Sequence, residues 1–254
     1  YYQNTPMLGR LLAEWGNRPV GCLFLLPLWH PVLVAEQVAT LSSLHDGTFI
    51  VQTGVGGRPH EFAALGADLS RRGKVTDESI GVIKALLAGD TVSSDEFGID
   101  DASLGLLPER PIEWWIGAGA PAGIERAARS GDVWYASPYP TARELVEPIA
   151  RYHDACAHYD RTPRVMVRKD VLVLDDAAAA ESHAKRIVEQ GYRGLDLSRL
   201  VVGDVDSVVD QLGAFDALGV EQIVMRCMTV PQFVAIETIE AMGEVNRRLE
   251  IDLH

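Results

Sequence analysis

The chain has 254 residues, 47% hydrophobic and 23% charged, the balance of a globular protein long enough to bury one large core. Its 23 basic and 36 acidic residues leave a net charge of −13, which argues against nucleic acid or an anionic membrane as partner. Cys22, Cys156 and Cys227 are far apart and lack metal-ligand spacing, and the longest apolar run, Val20–Trp29, is too short to span a bilayer. A cytoplasmic protein with reduced thiols is expected.

Met7, Leu8, Leu11, Leu12 and Trp15 recur at helical spacing over Pro6–Trp15, and Gly16 stops the pattern. Val20–Leu28 is continuously apolar, as suits a parallel strand covered on both faces. An amphipathic helix over Pro31–Leu44 and an apolar strand over Phe49–Val55 follow. After Gly54-Val55-Gly56-Gly57 comes a polar, irregular segment through Arg72, then a helix over Lys74–Ala88. Thr91–Arg110 reads as a long loop, a length that in a compact domain points to a lid.

A strand over Ile112–Ile116, a helix over Ala122–Ser130 and a strand over Val133–Ser137 come next. Thr141 and Glu144 form a capping box for a helix reaching about His158. Arg164–Leu174 is a Val-rich strand. Asp176 caps a helix over Ala177–Gln190, Asp206 one over Ser207–Leu218, and Gly219 precedes the strand Gln222–Cys227. Gln232–Leu249 is the last helix. The alternation means an α/β fold with a parallel sheet. About six strand–helix units are counted against the eight of a closed barrel. Either a barrel lacks its first two units in this chain, or the sheet is open.

Between its strand and helix, the turn Gly117-Ala118-Gly119-Ala120-Pro121 has almost no side chain to hold a ligand off the backbone. Free N–H groups and the dipole of a helix start hold phosphate well, so a phosphate-bearing cofactor is one reading of this turn and a tight structural turn the other.

The run from Trp29 to Gly66 (WHPVLVAEQVATLSSLHDGTFIVQTGVGGRPHEFAALG) resembles the bacterial-luciferase-like monooxygenases. Arg72–Glu78, Trp115–Pro121 with Ala127–Trp134, and Gly203–Met225 extend the similarity in order to the C-terminus. The resemblance implies a TIM (β/α)8-type barrel over residues 1–254 as one domain, lacking its first two β/α units, with 91–110 as loop or lid. It implies FMN or a deazaflavin coenzyme of the F420 type. Gly117, Ala118, Gly119 and Ala120 would take the phosphate, and Gly54, Gly56 and Gly57 would let backbone approach the ring, unless they only bend the chain. A non-prolyl cis peptide near Cys22–Phe24 is a further family expectation. Gln52, Asp46–Thr48, Trp29 and Ala120 depart from the family pattern and leave FMN against deazaflavin open.

His30 lies on the expected catalytic rim and is the candidate proton-transfer residue, its alternative being a helix-entry hydrogen bond. His60 and Glu61 follow the second glycine turn, where one reading has them facing substrate and the other pairs Glu61 with Arg72 across the loop. Arg58 and Arg226 are the cations best placed for a phosphate or an acidic substrate. Trp134 reads as core. The function implied is that of a flavin- or deazaflavin-dependent oxidoreductase on a small organic substrate, possible partners being a flavin reductase and a second copy of the chain. The rivals are a non-catalytic flavin-binding protein with a reduced barrel and an unrelated barrel lyase, for which Lys169 would be the Schiff-base lysine.

Overall fold

Each long apolar run becomes a parallel strand, and the amphipathic stretch after it becomes a helix. The computed structural model describes Gln3–Asp252. Its elements are α1 (Asn4–Trp15), β1 (Val20–Leu25), α2 (Pro31–Ser43), β2 (Phe49–Gly54), α3 (Pro59–Ala64), α4 (Arg72–Leu87), β3 (Val92–Ser94), β4 (Ile99–Ala102), β5 (Ile112–Ala118) and α5 (Pro121–Ser130). There follow β6 (Val133–Ala136), α6 (Ala142–His158), β7 (Val165–Val173), α7 (Ala177–Glu189), β8 (Val201–Gly203), α8 (Val205–Asp216), β9 (Val220–Cys227) and α9 (Gln232–Asp252). Contacts divide them into two units, Tyr1–Trp134 with Ala155–Pro163, and Tyr135–Asp154 with Arg164–His254.

In the first unit β2 pairs in parallel with β1 and with β5, Leu25 lying opposite Gly54 and Thr53 opposite Ile116. Side chains alternate across such strands, so Cys22, Phe24, Val51, Trp114 and Ile116 share one buried face. The ammonium of Lys84, on α4, lies 5.0 Å from the Trp114 ring on that face. Burying a side chain such as Phe24 or Val51 in full contributes about 1.5–3 kcal/mol. The other face carries Leu23, Gln52, Glu113 and Trp115. Leu23 is 41% exposed there, so β1 is apolar throughout yet covered on one face only.

Several boundaries differ from the sequence reading. The first strand ends at Leu25, because Pro27 has no N–H for a ladder; Leu26–Leu28 is a 3-10 turn instead. Pro59 starts the short helix α3 inside the stretch expected to be irregular. The segment read as a loop over 91–110 contains the antiparallel hairpin β3–β4. No cis peptide bond occurs among the described residues, so the one expected near Cys22–Phe24 is absent and that strand is trans throughout.

α5 is fastened to α4 by Arg126, whose guanidinium donates to both Asp77 oxygens at 2.8 and 3.0 Å and to the Gly73 carbonyl. In the second unit β7 runs between β8 and β9, parallel to both. Val171 and Val173 pack with Val208, Leu212, Met242 and Val245, while Leu172 and Leu174 pack with Ala180, Ala184 and Leu195. Thr238 is fully buried on α9, accepting from the Val173 N–H and donating to its carbonyl. Asp176 caps α7 and the Thr141–Glu144 box opens α6, as the sequence indicates. α8 is capped by Asp204 rather than Asp206, Ser207 closing the box, and the three-residue strand β8 precedes it. Among the described residues no helix is long and apolar enough to cross a membrane.

Candidate functional site

In the first unit the C-terminal ends of β1, β2 and β5 bring together His30, the glycine turn 54–57 with Arg58, and the turn 117–120. The two turns are neighbours, since a methyl group added at Gly117 would sit 3.9 Å from the Gly54 Cα. That methyl would also lie 2.5 Å from the Thr53 carbonyl oxygen, so the approach of β2 to β5 itself requires glycine at 117. Gly56 has a left-handed backbone, φ +67°, and faces Phe62. Nothing lies within 4 Å of a side chain added at Gly57, so this glycine borders open space.

Past Gly117 the chain comes to the surface. Gly119, Ala120, Pro121 and Ala122 are exposed, and α5 opens with Pro121 in its first turn and Ala120 as a cap that offers no side-chain acceptor. The exposed helix start is therefore bare backbone aimed outward. Beneath it the turn is held rigidly. Buried Trp134 donates its Nε1–H to the Ala118 carbonyl at 3.0 Å, and Asp132 accepts from the Trp114 N–H while its own N–H donates to the Trp114 carbonyl. Close packing of Gly123 against Ala118 fixes the helix to the strand end. Trp134 is a core residue, as its apolar setting in the sequence indicates, and it also holds the turn, a contact that no local pattern encodes.

His30 caps α2 without a side-chain capping bond, and its Nε2 lies 3.4 Å from the Phe97 carbonyl oxygen at the tip of the β3–β4 hairpin. The two rings meet edge to face at 6.2 Å. The hairpin is anchored on α4 and on the residue that caps it: Glu96 pairs with Arg71, the cap, at 2.6 Å and with Lys74 at 3.3 Å, and Ser94 donates to Glu78 at 2.7 Å. Arg71 and Lys74 hold the Glu96 carboxyl below its ordinary pKa against the opposing effect of desolvation. Arg58 is exposed and pairs with Glu61 at 3.3 Å, so Glu61 is not bound to Arg72, which donates to the Leu69 carbonyl instead. The i,i+3 spacing on α3 sets the first pairing.

Arg226 belongs to the second unit, at the end of β9, where it donates to the Tyr192 hydroxyl at 3.4 Å. Lys169, also in that unit, is 2% exposed. Its ammonium donates to the carbonyls of Pro138 and Pro140 and lies 4.9 Å from the Phe215 ring. These bonds tie down the turn after β6, a structural use of the nitrogen that the lyase reading required to be free. Burial pushes its pKa down to about 8, Arg199 adding to the effect. A separate groove of about 590 Å³ between α8, β9 and α9 is lined by Leu212, Met225, Met242 and Leu249 and holds none of the sequence-predicted site residues.

Residues 22–196 match the family model described as luciferase-like monooxygenase. The chain is 26% identical over 234 residues to the F420-dependent glucose-6-phosphate dehydrogenase of Kribbella flavida, covering 85% of this chain and 66% of that enzyme. It is 33% identical over 120 residues to the 4-hydroxyprotoasukamycin monooxygenase of Streptomyces nodosus subsp. asukaensis, covering 46% and 31%. The chain thus spans about two thirds or less of the length of these relatives. Among solved structures, the monooxygenase RslO1 of Streptomyces bottropensis superposes with a TM-score of 0.79 at 18% identity, covering 95% of this chain and 81% of that one. An F420-dependent secondary alcohol dehydrogenase in complex with an F420–acetone adduct gives a TM-score of 0.81 at 16% identity, covering 96% and 84%. The fold is the α/β TIM-barrel type expected from the sequence, and this chain belongs to the luciferase-like monooxygenase family of oxidoreductases.

Proposed function

We propose that the chain binds a phosphate-bearing deazaflavin of the F420 type, or FMN, on the rim of the first unit and acts as an oxidoreductase on a small organic substrate. The observation that carries this reading is the pairing of two adjacent glycine turns with an exposed, side-chain-free helix start. The backbone of Gly119–Ala122 receives the phosphate, aided by the α5 dipole. Gly57 leaves space for the ring or its side chain, and Trp134 keeps the Ala118 carbonyl turned inward so that the turn does not collapse onto the ligand. Arg58 stands exposed beside the second turn as a cation for an anionic group. The bound cofactor supplies the electron or hydride transfer. His30, held by the Phe97 carbonyl, exchanges a proton with the substrate at the rim.

Deazaflavin is the first ligand to test, because the relatives from Kribbella flavida and Rhodococcus hoagii are named F420-dependent glucose-6-phosphate dehydrogenases and a structural neighbour carries an F420 adduct. The named monooxygenases favour FMN as the second; reduced flavin would then come from a flavin reductase. Equilibrium titration of the purified chain with each cofactor, followed by fluorescence, decides between them. Saturable binding of either that weakens in Gly57→Ala supports the reading, and no binding of either by a folded chain overturns it. Binding without turnover on alcohols, aldehydes or sugar phosphates would instead fit the non-catalytic flavin-binding alternative.

A further inference from the structure

Within the second unit, charged side chains gather on one face of the β7–β9 pair. Asp170 and Arg226 are register partners, and Arg168, two residues before Asp170, shares its face. Tyr192 and Arg193 reach the same place from the segment after α7. The Tyr192 hydroxyl donates to Asp170 Oδ2 at 3.0 Å, and Arg193 Nε lies 3.5 Å from that oxygen. Arg168 Nε lies 3.8 Å from Oδ1, and Arg226 Nη2 donates to the Tyr192 hydroxyl. Asp170 is 1% exposed, so one buried carboxylate faces two guanidinium groups directly and a third through the Tyr192 hydroxyl.

This is more positive charge than an internal ion pair needs. Partly desolvated guanidinium groups in excess of carboxylate, here 20% and 24% exposed for Arg168 and Arg193, are costly unless something anionic completes them. Moreover, Arg168 Nε, Arg193 Nε and Asp170 Oδ1 are all buried and make no hydrogen bond. Arg168 Nε and Asp170 Oδ1 face each other at 3.8 Å and Arg193 Nε stands 3.5 Å from Oδ2, ion pairs that leave the hydrogen-bonding capacity of all three atoms unused. The backbone supplies a second, independent sign. Arg193 sits at φ +54°, a left-handed conformation unfavourable for a residue with a Cβ, between Gly191 at +85° and Gly194 at +70°. Strain of this kind persists where the surroundings hold a side chain in place for use.

We propose that Arg168, Arg193 and Arg226 form a binding site for the oxyanion headgroup of a small-molecule ligand. Guanidinium forks match the geometry of carboxylate and phosphate oxygens. The net charge of +2 on the three arginines and Asp170 suits a dianion such as a phosphate monoester. Tyr192 and Asp170 position the guanidinium groups, and Asp170 Oδ1 takes a hydrogen bond from a hydroxyl of the ligand. The inference goes beyond cofactor binding on the first unit and stands whether or not that binding is found.

The test is isothermal titration of the whole chain, without cofactor and at fixed ionic strength, with inorganic phosphate and with glycerol 1-phosphate. One saturable site is expected, with the monoester binding more tightly than the inorganic ion. Affinity should fall at least tenfold in Arg226→Gln and in Arg193→Gly. The second of these relieves the left-handed strain and is the variant expected to keep its fold by circular dichroism. Asp170→Asn, which removes the competing negative charge, should bind inorganic phosphate more tightly. Absence of saturable binding, or binding that survives both arginine substitutions, overturns the site. Inorganic phosphate binding as tightly as the monoester overturns its assignment to a ligand headgroup.

Discussion

Gly117→Ala and Gly57→Ala separate packing from ligand approach at the two glycine turns. At 117 the new methyl would lie 2.5 Å from the Thr53 carbonyl oxygen, far inside contact distance, and Thr53 is itself paired with Ile116 in the β2–β5 ladder. Neither strand has freedom to yield, so the substitution belongs with the overpacked cores that cost about 1–3 kcal/mol, at the upper end. For a chain of this length about 3 kcal/mol lowers the melting temperature by roughly 6–12 °C. At 57 nothing lies within 4 Å of the new methyl and the backbone is not left-handed. Stability there should stay level or rise by about 0.4–1 kcal/mol, because alanine narrows the unfolded ensemble. Thermal melts followed by circular dichroism read both variants. An unchanged melting temperature for Gly117→Ala would refute the steric account. In the cofactor titration Gly57→Ala should bind weakly while folded, which isolates loss of ligand space from loss of structure.

Lys169 gives a pH signature. Burial favours its neutral form in the fold, so between about pH 8 and the ordinary 10.5 the unfolded chain holds the proton more tightly. Stability should therefore rise with pH through that window, and the penalty is fully present below it. At 1.36 kcal/mol per pH unit the window is worth about 3 kcal/mol. Urea unfolding at pH 7.5 and 10.5 should show the wild type gaining this much relative to Lys169→Met; parallel pH profiles would refute it. Asp77→Asn leaves Arg126, 7% exposed, without its bidentate acceptor and should cost about 3 kcal/mol, part of which returns in the double variant with Arg126→Met when measured by denaturant unfolding. Trp134→Phe removes the bond to Ala118 and should cost about 1–2 kcal/mol in the same assay, with weaker cofactor binding.

Much of the chain, in both units, was legible because its signals are local. A continuous apolar run such as Phe49–Gly54 reads as a buried strand, and Asp176 or the Thr141–Glu144 pair reads as a helix start from spacing alone. The features missed are short or depend on competition between neighbours. α3 has six residues and β8 three, too few for a period to show. Asp204 and Asp206 are equally good caps on paper, and Ser207 decides for Asp204 because it closes a reciprocal box with the residue three before it. The β3–β4 hairpin is held by Glu96 and Ser94 reaching α4, contacts across 16 to 25 positions that no local pattern encodes.

The arginine cluster shows where reading by types of residue stops. The sequence marks Arg226 by its place after the last strand, yet its company, Asp170 and Arg168, lies more than fifty residues earlier and is fixed by strand register. Slipping β9 by one residue would put Arg226 on the opposite face, beside Lys169 rather than Asp170. The left-handed turn at Arg193 is equally silent in sequence, since the flanking Gly191 and Gly194 announce a turn without saying that the residue between them shares the strain. The second is a conformation that the chain adopts at a cost, and such a cost is offset elsewhere only where a side chain has to be in one place. On this argument Arg193, which no motif marks, is the residue of the second unit whose removal best distinguishes a binding site from a structural ion pair.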